Sequence, residues 1–294
     1  MNCGRLCVFG EVLFDHFPDG KRVLGGAPFN VAWHLQAFGQ MPYFISRVGD
    51  DSEGGTVRRA MHEWGMHMNG LQTDAHRPTG RVNVRFVAGE PAYDIQYPCA
   101  YDAIEEVERT GCGMVYHGTL ALREAVSRRT VAQLKASGPR TVFVDVNLRR
   151  PWWQRQQVLD TVHGVDWVKL NTDELALLYP SDEDATEAAA GFIAEYRLKK
   201  GLILTHGSQG AELLTVTGYH VKVQPDRDGR VVDTVGAGDA FAAVIIAGLV
   251  NDWPLDRTMQ RAQTFASKLV GSRGATVNDP LFYQPFLEAW DLLD

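Results

Sequence analysis

Apolar residues occur along the chain in two arrangements, which alternate. Short apolar runs, typical of buried strands, lie at residues 5–9, 43–48, 114–117, 142–146, 165–170, 201–204 and 211–216. Longer stretches with helical spacing lie at 25–39, 52–64, 124–136, 182–198, 255–271 and 281–292, with further helices after Trp153 and up to Val250. Strands that alternate with helices predict an α/β fold in which helical crossovers join parallel strands.

Two segments, about 12–24 and 79–100, interrupt this alternation. The first contains the turn Phe17-Pro18-Asp19-Gly20, and the second has apolar residues at every other position on either side of Gly89-Glu90-Pro91. Both predict short antiparallel strands, which we expect to join into a small β-sheet lid over the start of the first helix. No repeat or linker divides the chain, so residues 1–294 are expected to form a single domain.

Composition and charge exclude several classes of protein. The chain has 29 Lys and Arg against 36 Asp and Glu, a net charge of −7, and no long basic run, which argues against a nucleic-acid surface or a basic membrane-binding helix. No window of about 18 uninterrupted apolar residues predicts a membrane span. The four cysteines, Cys3, Cys7, Cys99 and Cys112, form no zinc or disulfide pattern. We therefore expect a soluble, cytoplasmic protein with reduced thiols.

The stretch Asp233 to Val250 joins a glycine turn to a helix that is apolar on nearly every side. Gly236, Ala237 and Gly238 keep side chains away from the turn, so a phosphate can approach the free N–H groups at the start of the helix. Asp239 lies in the first turn of that helix. Such a carboxylate often only complements the helix dipole, but beside an anion cradle it can also accept a proton from an attacking hydroxyl.

Other polar residues lie where strands and turns end. Gly25 and Gly26 precede Asn30 at the start of a helix, and Asp145, Asn147 and Arg149 follow a strand. The carboxyl ends of parallel strands are where open α/β sheets bind ligands. Asn30 is equally explained as a cap, and Arg149 as an ion-pair partner of Asp145.

Three further features carry two interpretations each. Asn171 and Glu174 have the spacing of a capping box, but a carboxylate there can also hold water around Mg²⁺. The segment Thr205 to Gly210 suits phosphate or ribose, or is an ordinary tight turn. Tyr93 can stack on a sugar or pack within the lid.

With these motifs placed, the chain resembles the ribokinase-like (PfkB) family of carbohydrate kinases over essentially its whole length. The resemblance rests on Gly25-Gly26 with Asn30 and Gly39, on Asn171-x-x-Glu174, and on Asp233-Thr-Val-Gly-Ala-Gly-Asp239, three motifs in the order of the family. It implies a three-layer α/β/α fold with a mostly parallel central sheet and a small β-sheet lid.

The resemblance also implies roles for individual residues. Asp239 corresponds to the catalytic base, and Gly236, Ala237 and Gly238 to the anion hole. The sugar-binding positions are Asp15, Gly25, Gly26, Asn30, Tyr93, Asn147 and Arg149, and the nucleotide-binding positions are Thr205, Gly207, Ser208, Gly210 and Gln263. Asn171 and Glu174 correspond to the motif that organises ATP and Mg²⁺, with Glu174 acting through water. Asp233 and Val235 correspond to a monovalent cation site for K⁺, although Gly271 stands where the family often has Thr.

The expected activity is transfer of the ATP γ-phosphate to a primary hydroxyl of a small carbohydrate. The segments GEVLFD, GGAPFN and DVNLRRPWW are most similar to those of bacterial fructokinases, which makes fructose the expected substrate. A 2-keto-3-deoxygluconate kinase, a ribokinase and a non-catalytic sugar or nucleotide sensor stay open as alternatives. Dinucleotide-binding and P-loop folds are disfavoured, since neither GxGxxG after the first strand nor a Walker A motif is present. The open edges of the lid favour a homodimer that forms through it.

Overall fold

A computed structural model describes residues 4–87, 90–107, 111–225 and 231–292. The strands are β1 Arg5–Phe9, β2 Leu13–His16, β3 Arg22–Gly25, β4 Tyr43–Gly49, β5 Leu71–Asp74, β6 Gly80–Val87, β7 Glu90–Ile95, β8 Cys112–His117, β9 Thr141–Asp145, β10 Trp167–Asn171, β11 Gly201–Thr205, β12 Ala211–Thr215 and β13 His220–Val223. The helices are α1 Ala27–Ala37, α2 Ser52–Glu63, α3 Ala125–Ala136, α4 Arg155–Val162, α5 Thr172–Leu178, α6 Ala185–Glu195, α7 Ala237–Val250, α8 Leu255–Leu269 and α9 Pro280–Ala289.

Nine strands form one central sheet in the order β13-β12-β11-β10-β9-β8-β1-β4-β5. The strands from β11 through β5 pair in parallel, and β12 and β13 are added antiparallel at one edge. Helices α1, α2, α7, α8 and α9 pack on one face of this sheet, and α3 to α6 pack on the other. The predicted three-layer arrangement is confirmed.

Four strands form a separate lid sheet in the order β3-β2-β6-β7. Its two hairpins, β2–β3 and β6–β7, come from the two segments that interrupt the α/β alternation, and β2 and β6 join them in parallel. The predicted lid is thus confirmed. The predicted turn at Gly89 lies outside the described residues.

Helix α7 touches the site and is buried over most of its length. All nine residues from Ala240 to Gly248 are buried, and the helix packs against α1 and α8. Because small and apolar residues surround its whole circumference, its position relative to the sheet is fixed by packing on every side. Its first turn is partly exposed and faces the space between the sheet and the lid.

Two of the cysteines form a disulfide, which corrects the prediction of reduced thiols. Cys7 on β1 and Cys112 on β8 are bonded, with their Cα atoms 5.8 Å apart. The two strands are neighbours in the sheet, whereas the residues are 105 positions apart in the sequence, so their spacing gave no indication of the pairing. Cys99 is buried and free, and Cys3 lies outside the described residues.

Over the described residues, none of the helices combines the length and the apolar character needed to cross a bilayer.

Candidate active site

A cavity of about 1000 Å³ lies between the lid, the carboxyl ends of the central strands and the first turn of α7. It brings together most of the residues that the sequence singled out. Its walls include Asp15, Gly25, Gly26, Asn30, Tyr93, Asn147, Arg149, Asn171, Glu174, Thr205, Asp233, Val235, Gly236, Gly238 and Asp239.

Five of the predicted site residues do not line this cavity. Ala237 begins α7, and its N–H donates to the carbonyl oxygen of Thr234 at 3.3 Å. Gly207 and Ser208 are exposed on the turn after β11, and Gly210 is buried at the end of that turn. Gln263 is buried on α8, where its Nε2 donates to Ser267 Oγ at 3.1 Å. The predicted adenine contact of Gln263 stays a prediction.

Asp239 is held at the cavity wall by Asn30. The amide Nδ2 of Asn30 donates to Asp239 Oδ2 at 2.8 Å, which joins two residues 209 positions apart. Burial raises the pKa of Asp239 to about 6; the hydrogen bond from Asn30 opposes this rise, and the nearby carboxylate of Asp145 adds to it. Near neutral pH the group is therefore charged, with a proton affinity well above that of an exposed aspartate. This is the property that a general base requires.

The glycine turn before α7 has a conformation that few other residues adopt. Gly236 has φ +81°, and a β-carbon at this position would lie 2.4 Å from Cα of Ala275. The turn therefore packs against residues 274–275 through bare backbone. In the first helical turn, the N–H of Ala237 donates to Thr234 and that of Ala240 to Gly236, so the N–H groups between them are the donors left for a ligand, and the helix dipole adds positive potential at the same point. This end of the cavity is suited to an anion.

The lid side of the cavity carries a second polar group. Asp15 on β2 and the Oδ1 atom of Asn30 both face Gly25: a β-carbon there would stand 4.0 Å from Asp15 Oδ2 and 3.8 Å from Asn30 Oδ1. Burial raises the pKa of Asp15 to about 6, and the guanidinium of Arg149 opposes that rise. Asn30 Oδ1 is buried and accepts no hydrogen bond from the described residues. These oxygens are positioned to bind hydroxyl groups.

Asn171 and Glu174 form a complete capping box at the start of α5. Asn171 Oδ1 accepts from the N–H of Glu174 at 2.8 Å, and Glu174 Oε2 accepts from the N–H of Asn171 at 3.0 Å. Glu174 Oε1 also accepts from the N–H of Leu148 at 3.0 Å, so the carboxylate ties α5 to the loop after β9. Burial raises its pKa, and these backbone donors act in the opposite direction. The capping interpretation is confirmed; the carboxylate also faces the cavity, and its role toward Mg²⁺ stays a prediction.

Asp233 closes the loop that carries the glycine turn. Its Oδ1 accepts from the N–H of Val235 at 3.0 Å, and its Oδ2 accepts from the N–H of Gly274 at 3.0 Å. Val235 is exposed. The contacts of Asp233 therefore brace the turn before α7 against residues 271–275.

Among the buried side chains of the cavity wall, Glu11, Tyr116 and Lys169 were not singled out from the sequence. Asp145 was grouped with Asn147 and Arg149 but was given no role in the site. Glu11 is 1 % exposed, its Oε2 has no partner among the described residues, and burial raises its pKa to about 7. Lys169 Nζ lies 2.8 Å from Asp145 Oδ1, and Tyr116 donates to Asp145 Oδ2 at 3.1 Å. The partner of Asp145 is therefore Lys169 rather than Arg149. The sequence feature that could have identified Lys169 is its position as a single lysine inside the apolar strand Trp167–Asn171.

The chain matches the pfkB family of carbohydrate kinases over residues 6–281. It belongs to this family. The fructokinase of Klebsiella pneumoniae is 33 % identical over 264 residues, which is 84 % of this chain and 84 % of that enzyme. The predicted family and the predicted ATP-dependent carbohydrate kinase activity are thus confirmed.

Solved structures of two kinases share the fold at lower identity. The fructokinase of Xylella fastidiosa with bound ATP has a TM-score of 0.81 at 21 % identity and covers 98 % of this chain and 99 % of its own. The aminoimidazole riboside kinase of Salmonella enterica, complexed with aminoimidazole riboside and an ATP analogue, has a TM-score of 0.79 at 23 % identity. The match covers 96 % of this chain and 99 % of that kinase. Kinases named for different acceptors thus share this architecture, and the fold alone does not identify the sugar.

Proposed function

We propose that this chain is a fructokinase that transfers the γ-phosphate of ATP to a primary hydroxyl of fructose. The observation that carries the proposal is the hydrogen bond from Asn30 to Asp239 at the cavity wall, beside the first turn of α7. It holds a carboxylate of raised proton affinity next to a site suited to a phosphoryl group. The fructokinase relative at 33 % identity supports fructose as the acceptor.

In the proposed reaction, Asp239 accepts the proton of the sugar hydroxyl as its oxygen attacks the γ-phosphorus. The bond from that phosphorus to the β,γ-bridging oxygen breaks, and ADP leaves. The N–H groups of Gly238 and Asp239 in the first turn of α7 stabilise the charge on the transferred group. General-base help is worth about 10²–10⁴-fold, and one lost backbone donor costs about 10²–10³-fold. Both groups are therefore needed for a useful rate.

The sugar half of the cavity favours a neutral acceptor. Asp15 and Asn30 Oδ1 accept hydrogen bonds from hydroxyl groups, and Glu11 adds a second carboxyl group nearby. Three oxygen-rich side chains disfavour a carboxylate on the substrate. Tyr93, which is exposed on β7 of the lid, supplies an aromatic face for the sugar ring.

Glu174 fits a magnesium ion held through water. Its two oxygens already accept N–H groups from Asn171 and Leu148, so remaining lone pairs are available to bound water molecules. Mg²⁺ would neutralise charge on the ATP phosphates. Thr205 faces the same part of the cavity, and Gly207, Ser208 and Gly210 form the adjoining turn that we assign to the nucleotide. A monovalent cation at Asp233 and Val235 stays a prediction, as does a cytoplasmic location.

A 2-keto-3-deoxygluconate kinase is the second candidate, favoured by Arg149. This exposed arginine lines the cavity, and its guanidinium acts on the pKa of Asp15, Glu11 and Asp239. Because Asp145 is bound to Lys169, Arg149 can meet a substrate carboxylate.

An ADP-release assay with ATP and Mg²⁺ separates these possibilities. We expect the highest kcat/KM with fructose, and lower values with ribose, 2-keto-3-deoxygluconate and nucleosides. Preference for the acidic sugar, lost in Arg149→Leu, would instead identify the second candidate. If the protein binds ATP but releases no ADP with any of these acceptors, it is a sensor rather than an enzyme.

A further inference from the structure

Lys169 is a buried cation in the middle of an apolar strand. It is 7 % exposed and lies between Val168 and Leu170, both of which are buried. Withdrawing an ammonium group from water is costly, and a buried ion pair is often no more stabilising than well-packed apolar residues. Stability alone therefore gives little reason for a lysine at this position.

The ammonium group is fixed by a short network on the neighbouring strands. Its Nζ lies 2.8 Å from Asp145 Oδ1 and 3.1 Å from Asp145 Oδ2, and Tyr116 donates to Asp145 Oδ2 at 3.1 Å. An ammonium group has three N–H donors, and the carboxylate of Asp145 engages them from one side only. The network sets the position of Nζ and leaves donor capacity toward the cavity that Lys169 lines.

Lys169 Nζ lies beside the glycine turn. It is 3.6 Å from the point where a β-carbon on Gly238 would stand, next to the first-turn N–H groups of α7. Burial works against the charged form, but the carboxylates of Asp145, Asp239 and Glu174 raise the pKa of Lys169. The cation therefore lies between the base on the acceptor side and the carboxylate on the nucleotide side.

We propose that Lys169 is a catalytic residue whose Nζ binds the γ-phosphate of ATP and the transferred phosphoryl group. This inference rests on the proposed kinase function and adds a residue to it. Lys169 keeps its proton throughout, while the proton of the hydroxyl goes to Asp239 and the electrons of the broken P–O bond go to ADP. Asp145 and Tyr116 act as positioning residues for the ammonium group.

The test compares Lys169→Met with Lys135→Met as a matched control. Lys135 is also largely removed from water, donating to the carbonyl of Thr161 at 3.0 Å, but it does not line the cavity. We expect Lys169→Met to lower kcat by about 10²–10³-fold, as loss of one charge-stabilising donor does, with the KM for fructose changed less than about 3-fold. Lys135→Met should keep kcat within about 3-fold of wild type.

Calorimetry gives a measurement that does not depend on turnover or on the choice of sugar. Lys169→Met should weaken binding of β,γ-imido-ATP with Mg²⁺ by about 10-fold, the value of one charge-assisted contact, and weaken binding of ADP less than about 3-fold. If the variant loses the same affinity for both nucleotides, or loses none for either, the proposed contact between Lys169 and the γ-phosphate is wrong. If none of the acceptors leads to ADP release by the wild-type protein, the proposed function fails. The difference between the losses of β,γ-imido-ATP and ADP binding still decides whether Lys169 contacts the γ-phosphate.

The double variant Asp145→Asn/Lys169→Met distinguishes catalysis from charge neutralisation. It removes both charges and so leaves no unpaired ion in the core, which keeps the test available if Lys169→Met does not fold. We expect the double variant to have the low kcat of Lys169→Met. A return to wild-type kcat in the double variant would show that Lys169 serves only to neutralise Asp145, and would overturn the proposal.

Discussion

At the scale of single residues, the cavity is lined by carboxyl groups whose ionisation is disfavoured by burial. Glu11, Asp15 and Asp239 all have raised pKa values, and Arg149 opposes the rise at each. Groups whose pKa is shifted by burial and by specific partners in a cleft are typical of active sites. Their titration gives two predictions.

The first prediction concerns the pH dependence of turnover. Asp239 accepts a proton only when it is ionised, and its pKa is about 6. We expect kcat/KM to be constant near pH 8 and to fall below pH 6, about 10-fold for each further unit. Asp15→Asn should keep this acid limb, although Asp15 also has a pKa of about 6. A profile that stays flat from pH 5 to 8 would remove Asp239 from the role.

The second prediction concerns stability and Glu11. Burial raises its pKa from 4.5 to about 7, so the folded state binds the proton more tightly than the unfolded state. Protonation of Glu11 therefore contributes on the order of 3 kcal/mol to the free energy of unfolding. This contribution is fully present below pH 4.5 and is lost as the pH rises through 7. Glu11→Gln, which does not titrate, should therefore gain in free energy of unfolding relative to wild type between pH 5 and pH 8. Urea titrations that give the same difference at both pH values would contradict this.

At the scale of elements, we assign the anion site to the glycine turn and the first turn of α7. Gly236→Ala places a methyl group 2.4 Å from Cα of Ala275 and should push the turn out of position. Gly218→Ala is a matched control, because Gly218 has φ +82° but no atom within 4 Å of an added β-carbon. We expect Gly236→Ala to lower kcat by about 10²-fold or more, and Gly218→Ala to lose only some stability.

The elements that the sequence predicted well have strong local signals. Strand β1 was expected and found at Arg5–Phe9, where an apolar run ends at a glycine. Helix α6 begins at Ala185, later than expected, because the side chain of Asp184 accepts from the N–H groups of Thr186 and Glu187 and caps the helix there. Strands β5 and β13 were not predicted, since each has four residues of mixed polarity and lies at an edge of the sheet.

The residues of the candidate site likewise differ in whether the local sequence identifies them. Asp239, Asn30 and Gly26 belong to compact motifs that a sequence displays. Lys169, Glu11 and the disulfide between Cys7 and Cys112 depend on which strands become neighbours and on which side of a strand faces the cavity. Pairing between distant segments is set by the packing of the whole sheet, so single residues in separate strands carry no local signal of it.

At the scale of the whole molecule, the lid is the surface that we expect to assemble. Strands β3 and β7 are the edges of a four-stranded sheet, and Tyr93 on β7 is 55 % exposed. Unpaired strand edges favour association with a second copy. We predict a dimer at micromolar concentration by light scattering, which Tyr93→Lys should weaken, as a charge on an exposed strand opposes such pairing. A monomeric mass for the wild-type protein would exclude assembly through the lid at that concentration.

The most direct test of the account is phosphoryl transfer by Asp239→Asn. Asparagine keeps the size of the side chain but cannot accept the proton, so we predict a fall in kcat of at least about 10²-fold with fructose and ATP. Calorimetric binding of ATP should change less than about 3-fold, because we assign the contacts with the nucleotide to other residues of the cavity. A variant that turns over at nearly the wild-type rate would contradict the assignment of Asp239 as the base.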